Sequence, residues 1–99
     1  MNYRVELFPA AIKEMDESAY WYEKCVDGLG EDFINIVYKS FGVIALNPLA
    51  YPKKKSYREF LVKKFPYLII YEISEKKRVI NVLHVFHSSR NPKFKYKKQ

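Results

Sequence analysis

At 99 residues, 48% of them hydrophobic and 17% aromatic, the chain can bury one modest core and is too apolar for a disordered tail. Its single cysteine, Cys25, rules out an internal disulfide, and no apolar run approaches the roughly 20 residues that a membrane-spanning helix needs. The net charge of +7 is unevenly spread: residues 1–50 hold 4 Lys/Arg against 8 Asp/Glu, and residues 51–99 hold 14 against 3. A basic second half calls for an acidic or polyanionic partner: nucleic acid, a nucleic-acid machine or an acidic protein.

The opening MNYRVELFP lacks signal-peptide architecture, so a cytoplasmic location is expected. Within it Tyr3, Val5 and Leu7 alternate with Arg4 and Glu6, the period of a short strand. Pro9 ends that strand and suits a first helical turn. From Ala10 to about Val26, the residues Ile12, Met15, Ala19, Tyr22 and Val26 recur at spacings of three and four, predicting one apolar helix face. Trp21 lies beside that stripe, at the expected edge of the core.

Asp27-Gly28-Leu29-Gly30 breaks the helix, and its glycines suit tight geometry at a helix end. The break is too short for a phosphate-binding loop and lacks the Lys-Ser/Thr ending, which excludes a nucleotide site. Glu31 and Asp32 fall in the first turn of a second helix, where the dipole favours negative charge. Phe33, Val37, Phe41 and Ile44 carry the helical period to Asn47, and Pro48 stops it.

Leu49–Ser56 reads as a basic loop containing Lys53, Lys54 and Lys55. Three strands follow. Tyr57–Lys63 alternates weakly, with Arg58, Phe60 and Val62 on one side. Tyr67–Ile73 and Val79–Phe86 are apolar on both faces. Their short connections, Phe65-Pro66 and Ser74–Arg78, favour an antiparallel meander. The expected fold class is α/β (α+β): order β-α-α-β-β-β, with a helical hairpin on one face of a mainly antiparallel sheet, in a single domain over 1–99. Residues 93–99 read as a flexible basic tail that interleaves lysine with Phe94 and Tyr96.

No metal site is expected, because His84 and His87 are three apart on a strand and point to opposite faces. His84 groups with Ile80, Val82 and Phe86 as a packed or edge histidine. His87, at the strand end, is more accessible and can titrate near neutrality. Ser88 and Ser89 stand in an ordinary polar turn, not a nucleophile elbow, and the carboxylates cluster on the first helix, away from the basic half. What remains is a basic constellation of Lys53, Lys54, Lys55, Arg58, Lys63, Lys64 and Arg90. A guanidinium on the apolar Phe60–Val62 face needs an anionic partner. That partner is either a helix carboxylate such as Glu23 or a group outside the chain.

The ordered series WYE…GLGEDF, NPLAYP, KFPYLIIYEI and INVLHVFHSSRNP resembles the RelE/ParE superfamily of bacterial toxins across nearly the whole chain. The resemblance implies the toxin of a type II toxin–antitoxin system, without a cofactor, paired with an acidic antitoxin in a heterotetramer or higher assembly. The GLGEDF and KFPYLIIYEI…SRNP features resemble the ParE branch, which binds DNA gyrase. The alternative is the RelE branch, which cleaves mRNA on the ribosome; a further alternative is a non-toxic nucleic-acid-binding module. For a nuclease, Arg58, Lys63, His87, Arg90 and Tyr96 would carry the chemistry, although Leu68 stands where that branch has an arginine. For target binding the resemblance and the charge point to Lys53, Lys54, Arg58, Lys64 and Arg90. For antitoxin binding they point to Tyr67, Ile69, Tyr71, Phe86 and Phe94.

Overall fold

A computed structural model describes residues 3–89. Strand β1 (Arg4–Leu7) runs into helix α1 (Pro9–Cys25), which folds back as α2 (Leu29–Leu46). A short 3-10 turn at Pro48–Ala50 leads to β2 (Lys53–Lys54), β3 (Tyr57–Leu61), β4 (Tyr67–Ser74) and β5 (Val79–His87). The expected order holds, with the two-residue β2 added inside the stretch read as a basic loop. The five strands lie in the order β1-β5-β4-β3-β2. β1 is parallel to β5, and every other pair is antiparallel.

Local chemistry explains the boundaries. Pro9 occupies the first turn of α1, where its missing N–H costs nothing. Gly28 adopts the left-handed conformation at φ 86° between the helices. Glu23 then reaches forward from α1: its Oε2 accepts from the Gly28 amide at 2.8 Å and its Oε1 from the Gly30 amide at 2.9 Å. These bonds hold the Glu23 carboxyl below its ordinary pKa of 4.5, Gly28 contributing most and Gly30 next.

Phe33, Val37, Phe41 and Ile44 of α2 are all buried, as their period predicts. They share one core with Ile69 and Tyr71 of β4, with Ile80, Val82 and Val85 of β5, and with Ala11 and Met15 of α1. Both helices therefore cover the same sheet face. The α1 stripe is turned from the expected one. Ala11, Met15 and Tyr22 face the sheet, while Ile12 (45% exposed), Val26 and Trp21 (61%) face outward. The small Ala11 is fully buried in this core, on the helix that packs against β5.

A bulge between β4 and β5 also corrects a face assignment. Ile70 pairs with His84 but Tyr71 pairs with Val82, so Leu83 is the extra residue. Val85 consequently joins Ile80 and Val82 in the core, and His84 and Phe86 turn to the other face. There Phe86 and Ile70 are buried outside the helix-covered core.

Candidate functional site: an edge groove and a divided set of cations

Tyr22, Phe33, Phe65 and Tyr67 form an aromatic knot that fastens the helical hairpin to the β3–β4 turn. Ring centroids lie 5.0 Å apart for Tyr22–Phe65, 5.3 Å for Phe33–Phe65 and 4.8 Å for Phe33–Tyr67. Burial first, then the neighbouring Tyr67, pushes the Tyr22 phenol up to about 12. The turn itself is tight. The Phe65 amide donates to the Lys63 carbonyl and the Tyr67 amide to the Phe65 carbonyl, both at 2.7 Å, and Lys64 sits at φ 71°. This conformation sets Lys63 and Lys64 on the surface beside α2.

β2 pairs only with Tyr57 and Arg58, so among the described residues no strand lies beside the edge of β3 at Phe60 and Leu61. A groove runs between this edge and α2. Its three contiguous sections have volumes of about 510, 220 and 520 Å³. Ile36, Val43, Phe60 and Leu61 supply apolar surface. The narrow middle section is lined by Lys39, Lys63 and Lys64 and by no carboxylate, while Asp32 and Glu59 mark the two wider ends. Leu61 is 62% exposed, a large apolar side chain left facing water. The groove suits an apolar segment with acidic flanks.

Arg58 is not paired with Glu23, whose carboxylate is spent on Gly28 and Gly30. Its Nη1 instead donates to the Tyr51 carbonyl at 2.8 Å and the Leu49 carbonyl at 3.3 Å. The guanidinium thus ties the segment after α2 to β3. Tyr71, directly opposite in register, donates its buried hydroxyl to the Pro48 carbonyl at 2.7 Å, completing that attachment. Burial raises the Tyr71 phenol to about 12, against the lowering influence of Arg58.

The two strand histidines have separate duties. His84 stacks on Phe86 with centroids 4.6 Å apart, and its Nδ1 lies 3.1 Å from Glu14 Oε2. Glu14 Oε1 accepts the Val85 amide at 2.8 Å. That amide lies beyond Leu7, where β1 no longer covers the β5 edge, so the carboxylate stands in for a strand carbonyl. His87 packs against Tyr67, 5.4 Å between centroids, and its Nδ1 accepts the Ser89 amide at 3.1 Å. Among the described residues, no group of three or more His, Cys, Asp or Glu is placed to hold a metal ion.

Of the residues singled out for nuclease chemistry, Arg58 lies apart from His87. Arg58 stands opposite Tyr71 on β4, and His87 stands opposite Tyr67 four residues away. That separates them by about 13 Å along the strands and about 10 Å across two strand spacings. Lys63 and Lys64 sit at the His87 end, Lys53 and Lys54 at the Arg58 end. Of the side chains named for antitoxin contact, Tyr67, Ile69 and Tyr71 are in the helix-covered core and Phe86 is buried on the other face. Val43 and Leu61, exposed apolar residues that the strand and helix patterns alone do not distinguish, line the groove instead. Arg90, Phe94, Tyr96 and the tail 93–99 lie outside the described residues.

Comparison with known proteins agrees with this architecture. The family described as "ParE toxin of type II toxin-antitoxin system, parDE" matches residues 5–92. In three dimensions the chain is similar to a protein of the chromosomal ParDE system from P. aeruginosa, at a TM-score of 0.71 and 11% identity, covering 86% of this chain and 95% of that one. It is also similar to a mutant of the E. coli toxin RelE in the free state, at 0.65 and 16% identity, covering 96% and 93%. The RelBE2 toxin–antitoxin complex from Mycobacterium tuberculosis contains a third similar chain, at 0.61 and 15%, covering 88% and 99%. Curated protein sequences yield no significant match. With nearly its whole length matched by one family and its fold shared with these toxin systems, the chain belongs to the ParE toxin family of type II toxin–antitoxin systems.

Proposed function

We propose that this toxin acts by binding, in the manner of the ParE branch, with DNA gyrase as its target. The observation that carries the reading is the separation of Arg58 from His87 across the sheet. A phosphoryl-transfer site needs its cations and its acid–base group around one phosphate. Here the arginine best placed on a strand is engaged with the Leu49 and Tyr51 carbonyls, and the histidine lies two strands away. Lys53, Lys54, Arg58 and Lys64 then act as contact residues for the target.

The same reading assigns the groove between α2 and β3 to the antitoxin, an acidic partner that neutralises the toxin in the cytoplasm. A segment with apolar anchors for Val43, Phe60 and Leu61 and carboxylates for Lys39, Lys63 and Lys64 fits its chemistry. The antitoxin adds its own symmetry to the assembly, giving a heterotetramer or a larger complex.

The test has two arms. Purified toxin should inhibit supercoiling by gyrase, and cells expressing it alone should stop replicating with their ribosome-bound mRNA intact. Codon-resolved cleavage in the ribosomal A site, lost in His87→Ala, would instead establish the RelE-type reading. For the groove, Leu61→Asp should weaken antitoxin binding by about tenfold or more, the cost of losing one buried apolar anchor and burying a charge beside it.

A further inference from the structure

A second surface lies at one end of the sheet, apart from the groove. The β2–β3 turn, the β4–β5 turn and the start of β1 meet there. Their adjacency follows from the register: Lys54 pairs with Tyr57, Ser74 with Val79, and Arg4 with Val79. A small cleft lined by Lys53, Ser56 and Glu75 joins the first two turns. The third is joined by the Tyr3 hydroxyl, which donates to Glu75 Oε1 at 3.0 Å, and by the Arg78 guanidinium, 4.2 Å over the Tyr3 ring.

Seven cations stand on this end: Arg4, Lys53, Lys54, Lys55, Lys76, Lys77 and Arg78. Two have acidic neighbours. Arg4 pairs with Glu6 at 3.0 Å, and Arg78 lies 4.0 Å from Glu75. The five lysines form no ion pair with a described residue.

Backbone conformation singles out part of this set. The only non-glycine residues at positive φ among those described are Lys55 (57°), Lys64 (71°) and Arg78 (57°). Glycine or asparagine fills such positions without the steric penalty that a long side chain incurs. Here each holds a cation, and two of the three are on this one end. A turn that needed only its shape would be better served by glycine, so the charge itself has a use.

We propose that this end of the sheet binds the phosphate backbone of duplex nucleic acid. Four strand spacings place the row of cations over about 19 Å, the length of a rail of several successive phosphates on one strand. Lysine ammonium groups are point charges suited to phosphate oxygens, and none is held by a carboxylate. Single-stranded recognition needs exposed aromatic platforms for bases. Two rings are described at this end and neither is such a platform: Tyr3 is covered by Arg78, and Tyr57 is half-buried. Such binding is independent of sequence and would hold the toxin near a DNA-bound target, but it does not depend on gyrase being that target.

The experiment uses the full-length chain and a fluorescein-labelled random 20-base-pair DNA duplex, with anisotropy measured between 50 and 200 mM KCl. The parent should bind with log K falling linearly with log salt. Lys55→Gly should raise Tm, by relieving the backbone, and yet reduce the salt slope by about one, the signature of one lost phosphate contact. Lys76→Ala combined with Lys77→Ala should reduce it by about two without touching a positive-φ position. Lys13→Ala, a matched charge removal on α1, should leave the slope unchanged. The proposal is overturned if the parent does not bind at 50 mM, or if Lys13→Ala loses as much as Lys55→Gly. It is equally overturned if single-stranded DNA binds more tightly than duplex, or if poly-glutamate of equal charge displaces the duplex as well as unlabelled DNA does.

Discussion

Gly30, the second residue of α2, lies so close to α1 that a Cβ built on it falls 2.5 Å from the Ala19 carbonyl oxygen and 3.0 Å from Glu23 Cβ. The two helices touch here through backbone, with no room for even a methyl group. Gly30→Ala should therefore destabilise the fold by about 1–3 kcal/mol, the usual range for overpacking. Gly42, later in the same helix, has nothing within 4 Å of its Cβ position. Gly42→Ala should stabilise by up to about 1 kcal/mol, because alanine is the better helix former. Urea unfolding of the two variants checks the opposite signs; equal effects would show that the helices are not in contact at Gly30.

The Glu23 carboxylate that accepts from Gly28 and Gly30 makes the hairpin acid-sensitive. Its folded pKa lies below the unfolded value of 4.5, so its contribution is complete above about pH 4.5 and disappears as pH falls through the lowered folded value. Tm of the parent should drop in that window. Glu23→Gln, which keeps an acceptor but cannot titrate, should start from a lower Tm and show a shallower drop. An identical acid profile in parent and variant would assign the sensitivity to other carboxylates.

Glu14 closes the β5 edge where β1 has ended, through the Val85 amide at 2.8 Å and His84 Nδ1 at 3.1 Å. Glu14→Ala leaves a part-buried amide without an acceptor and should cost about 1–3 kcal/mol. Glu14→Gln retains a carbonyl oxygen for Val85 and should cost less. Hydrogen exchange at the Val85 amide reads this directly: acceleration in the alanine variant and near-parent protection in the glutamine variant are expected.

Tyr71→Phe removes the donor to the Pro48 carbonyl while keeping the ring in the core. A loss of about 1–2 kcal/mol is expected for a buried hydrogen bond whose acceptor is left behind. The phenol adds an alkaline limit. With its folded pKa raised to about 12 from 10.0, its contribution is full below pH 10 and fades as pH rises toward 12. The Tyr71→Phe variant should show less alkaline destabilisation than the parent, measured by Tm between pH 9 and 12.

Much of this architecture is legible in the residue order, because period and punctuation are local properties. The α2 stripe of Phe33, Val37, Phe41 and Ile44 follows from 3.6-residue spacing, and the helix ends follow from Pro9, Gly28 and Pro48. The three-strand meander follows from runs of β-branched and aromatic residues between short breaks, and the basic character of the second half is a matter of counting. What a side chain meets is not local, and only the tertiary structure decided it. One bulged residue, Leu83, moves His84 off the Ile80–Val82 face. The α1 stripe turns to Ala11 and Met15 and leaves Ile12 exposed, and a count of apolar spacings does not say which of the adjacent faces meets the sheet. Arg58 found carbonyls from a turn nine residues back instead of a carboxylate, and register set it two strands away from His87. The groove exists because β2 is too short to cover Phe60 and Leu61, and strand length depends on hydrogen-bond partners that only the folded sheet supplies.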